Sequence, residues 1–245
     1  MERLKHIAYG LLLFFAGCTP ETRNDCFQGH GEQKEELRTV DDFQKLVIFG
    51  DYTCQIVPDS VNFVEIFGGE NFIGQIKTEV ADNTLSISEN ITCKFVRDRN
   101  TPYKVTVHAR QINEIDHYGS DSLYCQDTLY AQTFTLNKWD GGGDIELLLR
   151  SESAFIKSNA GSGDITISGA SEEAYFFQRG FNFNYFESFQ TGDLTVDKGG
   201  TGDMHLSSSE PAQISFNSEG FIYTYHSPEP IVIEESGNGS IIEKH

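Results

Sequence analysis

Basic residues are scarce in this 245-residue chain. Lysine and arginine number 18 against 37 aspartates and glutamates, and the formal net charge is −19. A surface this acidic repels polyanions, which excludes nucleic acid and anionic lipid as direct partners; its ordinary meaning is solubility. Long apolar runs are missing too. The run from Ile7 to Phe15 falls short of the ~18 residues that read as a membrane-spanning helix, and no later segment approaches that length. Helical periodicity is nearly absent: only Glu32 to Leu37 and Asp41 to Lys45 could make a turn or two. There is no Cys-x-x-Cys, and His6, His30, His108, His117, His205, His226 and His245 are scattered. Neither a metal nor a cofactor is therefore expected. No Gly-x-Ser-x-Gly elbow occurs either, which removes one common route to hydrolysis.

The chain opens on a secretory signal over residues 1–17. Arg3 and Lys5 form its basic end, Ile7 to Phe15 its apolar stretch, and Ala16-Gly17 the small residues before Cys18. This order resembles a bacterial lipobox, in which Cys18 becomes the lipid-modified first residue of the mature chain. Phe15 departs from the usual Leu or Val, and plain cleavage near Gly17 is the alternative. The lipobox reading implies an envelope protein on the outer membrane, facing the periplasm or the surface, with its membrane contact made by the lipid. Losing residues 1–17, which hold Arg3, Lys5 and Glu2, takes the net charge from −19 to −20. Residues 18–36 are polar and rich in turn formers, a tether. Residues 37–245 are expected to form one domain.

Short apolar runs recur through that domain. One set is Val105–Val107, Leu123–Cys125, Ile145–Leu147, Ile165–Ile167, Asn184–Phe186, Met204–Leu206, Ile222–Thr224 and Ile241-Ile242, with centres spaced at roughly 20 residues. A second set keeps the same step: Ile112–Ile115, Phe134–Leu136, Ala154–Ile156, Ala174–Phe176, Leu194–Val196, Ile214–Phe216 and Ile231–Ile233. Two strands per period of this size predict an all-β, right-handed parallel β-solenoid with about 20 residues per coil. Alternation turns one side of each strand inward. Ile145 should stack on Ile165, Met204 on Tyr223, and Ala154, Ala174, Leu194 and Ile214 on one another. Gly-Asp pairs open several runs (Gly143-Asp144, Gly163-Asp164, Gly192-Asp193, Gly202-Asp203). There glycine would supply a positive φ at a corner, and aspartate would bond its own turn.

Earlier strands are expected at Leu46–Phe49, Thr53–Val57, Asn62–Phe67, Ile73–Val80, Thr84–Ser88 and Thr92–Val96, with a turn at Val80-Ala81-Asp82-Asn83-Thr84. Ile56, Ile76, Phe95 and Ile115 lie 19 or 20 apart, which favours continuing the column back through this region. An antiparallel hairpin segment feeding the column is the competing arrangement. Besides Cys18 there are Cys26, Cys54, Cys93 and Cys125. An exported chain permits pairing, three connectivities exist, and Cys54–Cys93 is the preferred one. Cys125 shares a core register and reads as an inert thiol.

The order of these motifs carries a family resemblance. Asp42-Phe43-Gln44-Lys45-Leu46-Val47-Ile48 is followed by Asn62–Ile66, Thr84–Ile87, Tyr103–Val107 and then Gly-Ser-Gly-Asp-Ile-Thr-Ile at Gly161–Ile167. Over roughly 37–242 this resembles the auto-transporter adhesin, head GIN domain family. The resemblance implies a β-helical envelope lipoprotein and brings no catalytic residues. Phe183-Asn184 and Phe221-Ile222 depart from its Gly-Asp pattern.

Candidate chemistry is thin. Calcium-binding arrays need a nine-residue step, and the step here is near twenty. Asp144, Asp164 and Asp203 should stack at corners with no Lys or Arg beside them, a poor arrangement for sugar cleavage. A non-enzyme is expected. Asp59-Ser60-Val61, Asp121-Ser122-Leu123 and Asp127-Thr128-Leu129 resemble an O-glycosylation acceptor. Aromatic residues crowd Tyr175 to Phe189, with Phe216, Phe221, Tyr223 and Tyr225 nearby. If Ala174 and Phe176 face inward, then Tyr175 and Phe177 face outward beside Phe155. These three are the candidate binding residues for a glycan or a protein. A self-associating scaffold is the second reading, since solenoid ends expose strand edges; a polysaccharide-active enzyme is the third.

Overall fold

In a computed structural model that describes residues 31–90 and 103–244, the alternating runs become strands that stack by hydrogen bonding into a column. In chain order these are β1 (Gln33–Thr39), β2 (Lys45–Ile48), β3 (Thr53–Pro58) and β4 (Phe63–Gly69). A single helical turn, α1 (Glu70–Ile73), precedes β5 (Ile76–Ala81), β6 (Thr84–Glu89), β7 (Lys104–Ala109) and β8 (Glu114–His117). Next come the long strands β9 (Leu123–Lys138), β10 (Ile145–Ser158), β11 (Ile165–Gln178) and β12 (Asn184–Lys198). The last are β13 (Met204–Ser208), β14 (Gln213–Asn217), β15 (Ile222–Tyr225), β16 (Ile231–Ser236) and β17 (Ile241–Lys244).

The column has two faces. Face A runs β1-β4-β7-β3, then the first halves of β9 to β12, then β13, β15 and β17. Face B runs β5-β6-β2-β8, then the second halves of β9 to β12, then β14 and β16. Strands β9 to β12 bend in mid-course and serve both faces. From β8 onward every pairing is parallel, and Ile145 lies on Ile165 as the period requires. The architecture is a β-solenoid of about seven coils.

Stacked apolar residues fill the interior. On face B, Ile115, Leu136, Ile156, Phe176, Val196 and Ile214 succeed one another rung by rung, each at most 1% exposed. Across the core Phe176 meets Phe186 of face A at 4.6 Å between ring centroids. A single coil would leave this surface in water; stacking removes it, and that burial holds the column together.

Two register details differ from expectation. Met204 lies on Ile222, and Tyr223 lies on His205; Tyr223 therefore points outward. Ile214 stacks on Val196, while Ala154, Ala174 and Leu194 form a separate column. The step from Val196 to Ile214 is 18 residues, so the shortened coil moves Ile214 along its strand.

The N-terminal region departs further. Asp82 and Asn83 take positive φ of 48° and 61°, the conformation of a tight hairpin turn. They make β5 and β6 antiparallel. Strands β1 and β4 are also antiparallel to their neighbours. The step through Ile56, Ile76 and Ile115 does not form a column: Ile56 pairs with Val107, Ile76 with Glu89, and Ile115 with both Leu46 and Leu136. Instead β2 and β3 wedge between later strands, β2 between β6 and β8, and β3 between β7 and β9.

Residues 32–37, a candidate helical turn, are largely strand β1, which starts inside the range assigned to the tether. Asp41–Lys45 is not helical either; Lys45 opens β2. Cys54 is a free, fully buried thiol, so the structure does not support a Cys54–Cys93 bond. Cys93, Phe95, the strand expected at Thr92–Val96, Cys18 and Cys26 lie outside the described residues. Cys125 is free and buried as expected, and burial raises its thiol pKa to about 12.

Candidate functional site

The corners explain three of the four Gly-Asp pairs; Gly192-Asp193 lies inside strand β12. Asp144 Oδ1 accepts a hydrogen bond from the Asp164 amide at 2.8 Å, Asp164 Oδ1 from the Phe183 amide at 2.9 Å, and Asp203 Oδ1 from the Phe221 amide at 2.8 Å. Each carboxylate thus bonds the next coil and not its own turn. The glycines have a different role from the expected one. Gly143, Gly163, Gly192 and Gly202 are not among the residues with positive φ. A Cβ on Gly163 would sit 2.2 Å from the Gly143 carbonyl oxygen, and one on Gly202 1.9 Å from that of Asn182. Glycine is required by the close approach of stacked backbones. The positive φ belongs to Gly141 and Gly161, earlier in the same turns.

Behind these corners runs a buried polar column that sequence reasoning missed. His117, Lys138, Ser158, Gln178, Lys198 and Ser218 follow at steps of 20 or 21 residues, and none is more than 6% exposed. Each end-of-strand position faces inward where the chain turns, and its side chain binds groups of the turn. Lys138 Nζ donates to the Gly141 carbonyl at 2.9 Å, Gln178 Nε2 to that of Asn182 at 2.6 Å, and Lys198 Nζ to that of Gly200 at 2.9 Å and to Ser218 Oγ at 2.6 Å. Burial pushes Lys198 down to about 8 and His117 down to about 4, and it lowers Lys138. The corner aspartates therefore do have lysines near them. Lys138 feels the charges of Asp144, Asp140 and Asp164, and Lys198 that of Asp203. Both ammonium groups are enclosed, so they serve the turns. Among the described residues no cluster of three or more His, Cys, Asp and Glu could hold a metal ion.

The three predicted binding residues do face outward on face B. Phe155 and Tyr175 are neighbours on adjacent rungs, and Phe177 lies beside Lys157 and Asp197. Phe155 is 37% exposed, while Tyr175 and Phe177 are half-buried. A shallow depression of about 270 Å³ lies over Ser153, Phe155, Glu173, Tyr175, Asp193 and Thr195. Cations rim it. The Arg179 guanidinium covers the Phe177 ring at 4.3 Å and pairs with Asp197 at 2.9 Å; Lys157 stands 5.9 Å from the Phe155 ring. Phe155 and Phe177 thus each have a cation near the ring, and of the three residues Phe155 is the most exposed.

The remaining aromatics of the crowded coil separate. Phe186, Phe189 and Phe216 are core residues. Phe183, Tyr185, Phe221, Tyr223 and Tyr225 belong to face A, where His205 joins them. The turn at Gly180 carries the chain from one face to the other, and that split was the missed signal. Of the glycosylation-like motifs, Ser60 and Ser122 are exposed and Thr128 is half-buried.

The comparisons with known proteins agree with this geometry. A crystal structure of a "putative adhesin" from Bacteroides fragilis NCTC 9343 superposes with a TM-score of 0.78 at 19% identity, over 87% of this chain and 97% of that one. A "putative lipid binding protein" from Parabacteroides distasonis ATCC 8503 gives 0.68 at 17% identity, over 89% and 98%. A "putative adhesin" from Parabacteroides merdae ATCC 43184 gives 0.61 at 16%, over 89% and 98%. At these identities the likeness is one of fold. No curated protein matches. The family model described as "Putative auto-transporter adhesin, head GIN domain" matches residues 42–228, which include the wedge, the Gly-Asp corners and both faces, and the chain belongs to that family.

Proposed function

We propose that this chain is an adhesin-type binding protein of the cell envelope, anchored by lipid on Cys18, that holds a glycan or a protein against the outer face of its solenoid without catalysis. The observation that carries this reading is the outward pair Phe155 and Tyr175 over an open depression on face B. The corner carboxylates, the other candidates for chemistry, accept bonds from backbone amides. Flat aromatic surface with a charged rim suits sugar rings or a protein partner. The test is a glycan and matrix-protein array. Phe155→Ala combined with Tyr175→Ala should abolish a positive signal while the melting temperature stays unchanged; retained binding would refute the role of face B. For the anchor, Cys18→Ser should release the protein from the membrane fraction. Intact mass of the native protein would read both the lipid and any glycan at Ser60, Ser122 or Thr128.

One observation favours a structural, self-associating scaffold as the second reading. At the open C-terminal end β16 exposes Ile231, Val232 and Ile233 by 52%, 43% and 62%, an apolar strand edge of the kind that pairs with another chain. The edge strand β1 at the other end bears Lys34, Glu35, Glu36 and Arg38. Light scattering that rises with concentration, and falls on Val232→Lys, would favour the scaffold.

A further inference from the structure

Face A carries an aromatic stripe near its C-terminal end that the adhesin reading does not use. Tyr185, His205 and Tyr223 occupy one ladder position on successive rungs, with ring centroids 5.2 and 4.8 Å apart. Tyr225 stands beside them, its hydroxyl 3.0 Å from His205 Nδ1. Phe183 and Phe221 extend the stripe to the corner, 6.4 Å from Tyr185 and 6.2 Å from Tyr223. Those two rings are 40% and 37% exposed.

Negative charge surrounds the stripe. Asp164 and Asp203 line its corner, and Glu187 is close to Tyr185, His205 and Tyr225. After burial, these carboxylates are what raise the Tyr185 hydroxyl, and Glu187 does the same for Tyr225. Burial holds the His205 ring below its usual value, so it adds no positive charge at neutral pH. Cations already sit over other outward rings: Lys104 over Tyr124, Lys157 over Phe155 and Arg179 over Phe177. Within the stripe Lys244 lies 4.9 Å from the Tyr223 centroid. Among the described residues no such cation covers Phe183, Tyr185 or Phe221. Aromatic faces beside carboxylates attract ammonium and guanidinium groups.

We propose that this stripe is a docking site for a lysine- or arginine-rich polypeptide segment of a partner protein. Charge complementarity selects that occupant. A second copy would bring its own net charge of −19, polyanions are repelled for the same reason, and a neutral glycan offers only hydroxyl groups to Asp164, Glu187 and Asp203 and leaves their charge uncompensated. The site lies on a different face from Phe155 and Tyr175, so the two readings fail separately.

The test is calorimetric titration of the protein with a decalysine peptide, and with cellohexaose as a neutral glycan. Replacing Tyr185→Leu and Phe221→Leu leaves the charge unchanged. Decalysine affinity should fall about tenfold or more in that variant and stay unchanged in Phe155→Ala. Equal affinity in all three proteins would mean attraction by bulk charge and would overturn the proposal. So would cellohexaose binding that the stripe substitutions abolish while decalysine is indifferent to them. In the unsubstituted protein the His205 ring-proton resonances should shift as decalysine is added. Resonances that do not move overturn the proposal whatever the variants do.

Discussion

Lys198 offers a test of the buried polar column in which the direction of the effect is fixed in advance. Its side chain is fully enclosed, its ammonium bonds the Gly200 carbonyl and Ser218 Oγ, and burial lowers it from 10.5 to about 8. In the unfolded chain it returns to about 10.4. Between those limits the unfolded state holds a proton that the folded state has released, so stability rises with pH across the window. Below pH 8 both states are protonated and the penalty for enclosing the charge is felt in full, about 3 kcal/mol. Lys198→Met removes the titrating group and leaves the Gly200 carbonyl and Ser218 without this donor, a loss of about 1–3 kcal/mol. At pH 7 the two effects nearly cancel, and the variant should match the parent protein. At pH 10.5 the parent should be more stable, with the difference having grown by about 3 kcal/mol. Urea unfolding followed by circular dichroism at several pH values from 7 to 10.5 measures this. Other groups titrate in both proteins, so only the difference matters. A difference independent of pH would show that Lys198 is not enclosed as described.

The acid side gives the complementary case. His117, held near 4, stays neutral in the folded protein while the unfolded chain takes up a proton below about 6.5. Stability should fall by about 3 kcal/mol as pH drops from 6.5 to 4, and His117→Asn should remove that part of the decline in urea midpoints. At the corners, Gly163→Ala places a methyl 2.2 Å from the Gly143 oxygen; a loss of about 1–3 kcal/mol is expected from forcing the coils apart. Ala at the open corner position Gly142, where the nearest atom would be the Ser162 hydroxyl at 3.8 Å, should be nearly neutral. Equal losses at both sites would contradict the close-approach account.

The parallel column was legible because a strand that recurs every twenty residues can bury its apolar side only against its own next copy. Cys125 and the Asp82-Asn83 turn were readable for similarly local reasons. The wedge of β2 and β3 was not, since spacing records that strands repeat and leaves open which ones pair. Tyr223 was assigned inward because Ile222, Tyr223 and Thr224 present an apolar residue at two adjacent positions, and a slip of one exchanges the faces. The polar column escaped notice because lysine, histidine and glutamine at strand ends read as surface. Only the geometry of the turns shows that they bind carbonyls there. At the candidate site Phe155, Tyr175 and Phe177 came from alternation alone, whereas the cation over Phe177 and the separation of the face A aromatics depend on where Arg179 and Gly180 send the chain.

Because β2 has β6 on one side and β8 on the other, the earliest strands are held by partners that arrive much later. A polypeptide delivered N-terminus first cannot build this object by laying down one layer after another. The pairings of residues 45–58 cannot be completed until residues 84–109, and then 114–124, have followed them. Only then does the gap close from both sides, and the layers from β10 onward gain a finished platform on which to grow. Assembly of the first half therefore depends on contacts of high sequence separation, while the remainder can add one turn at a time.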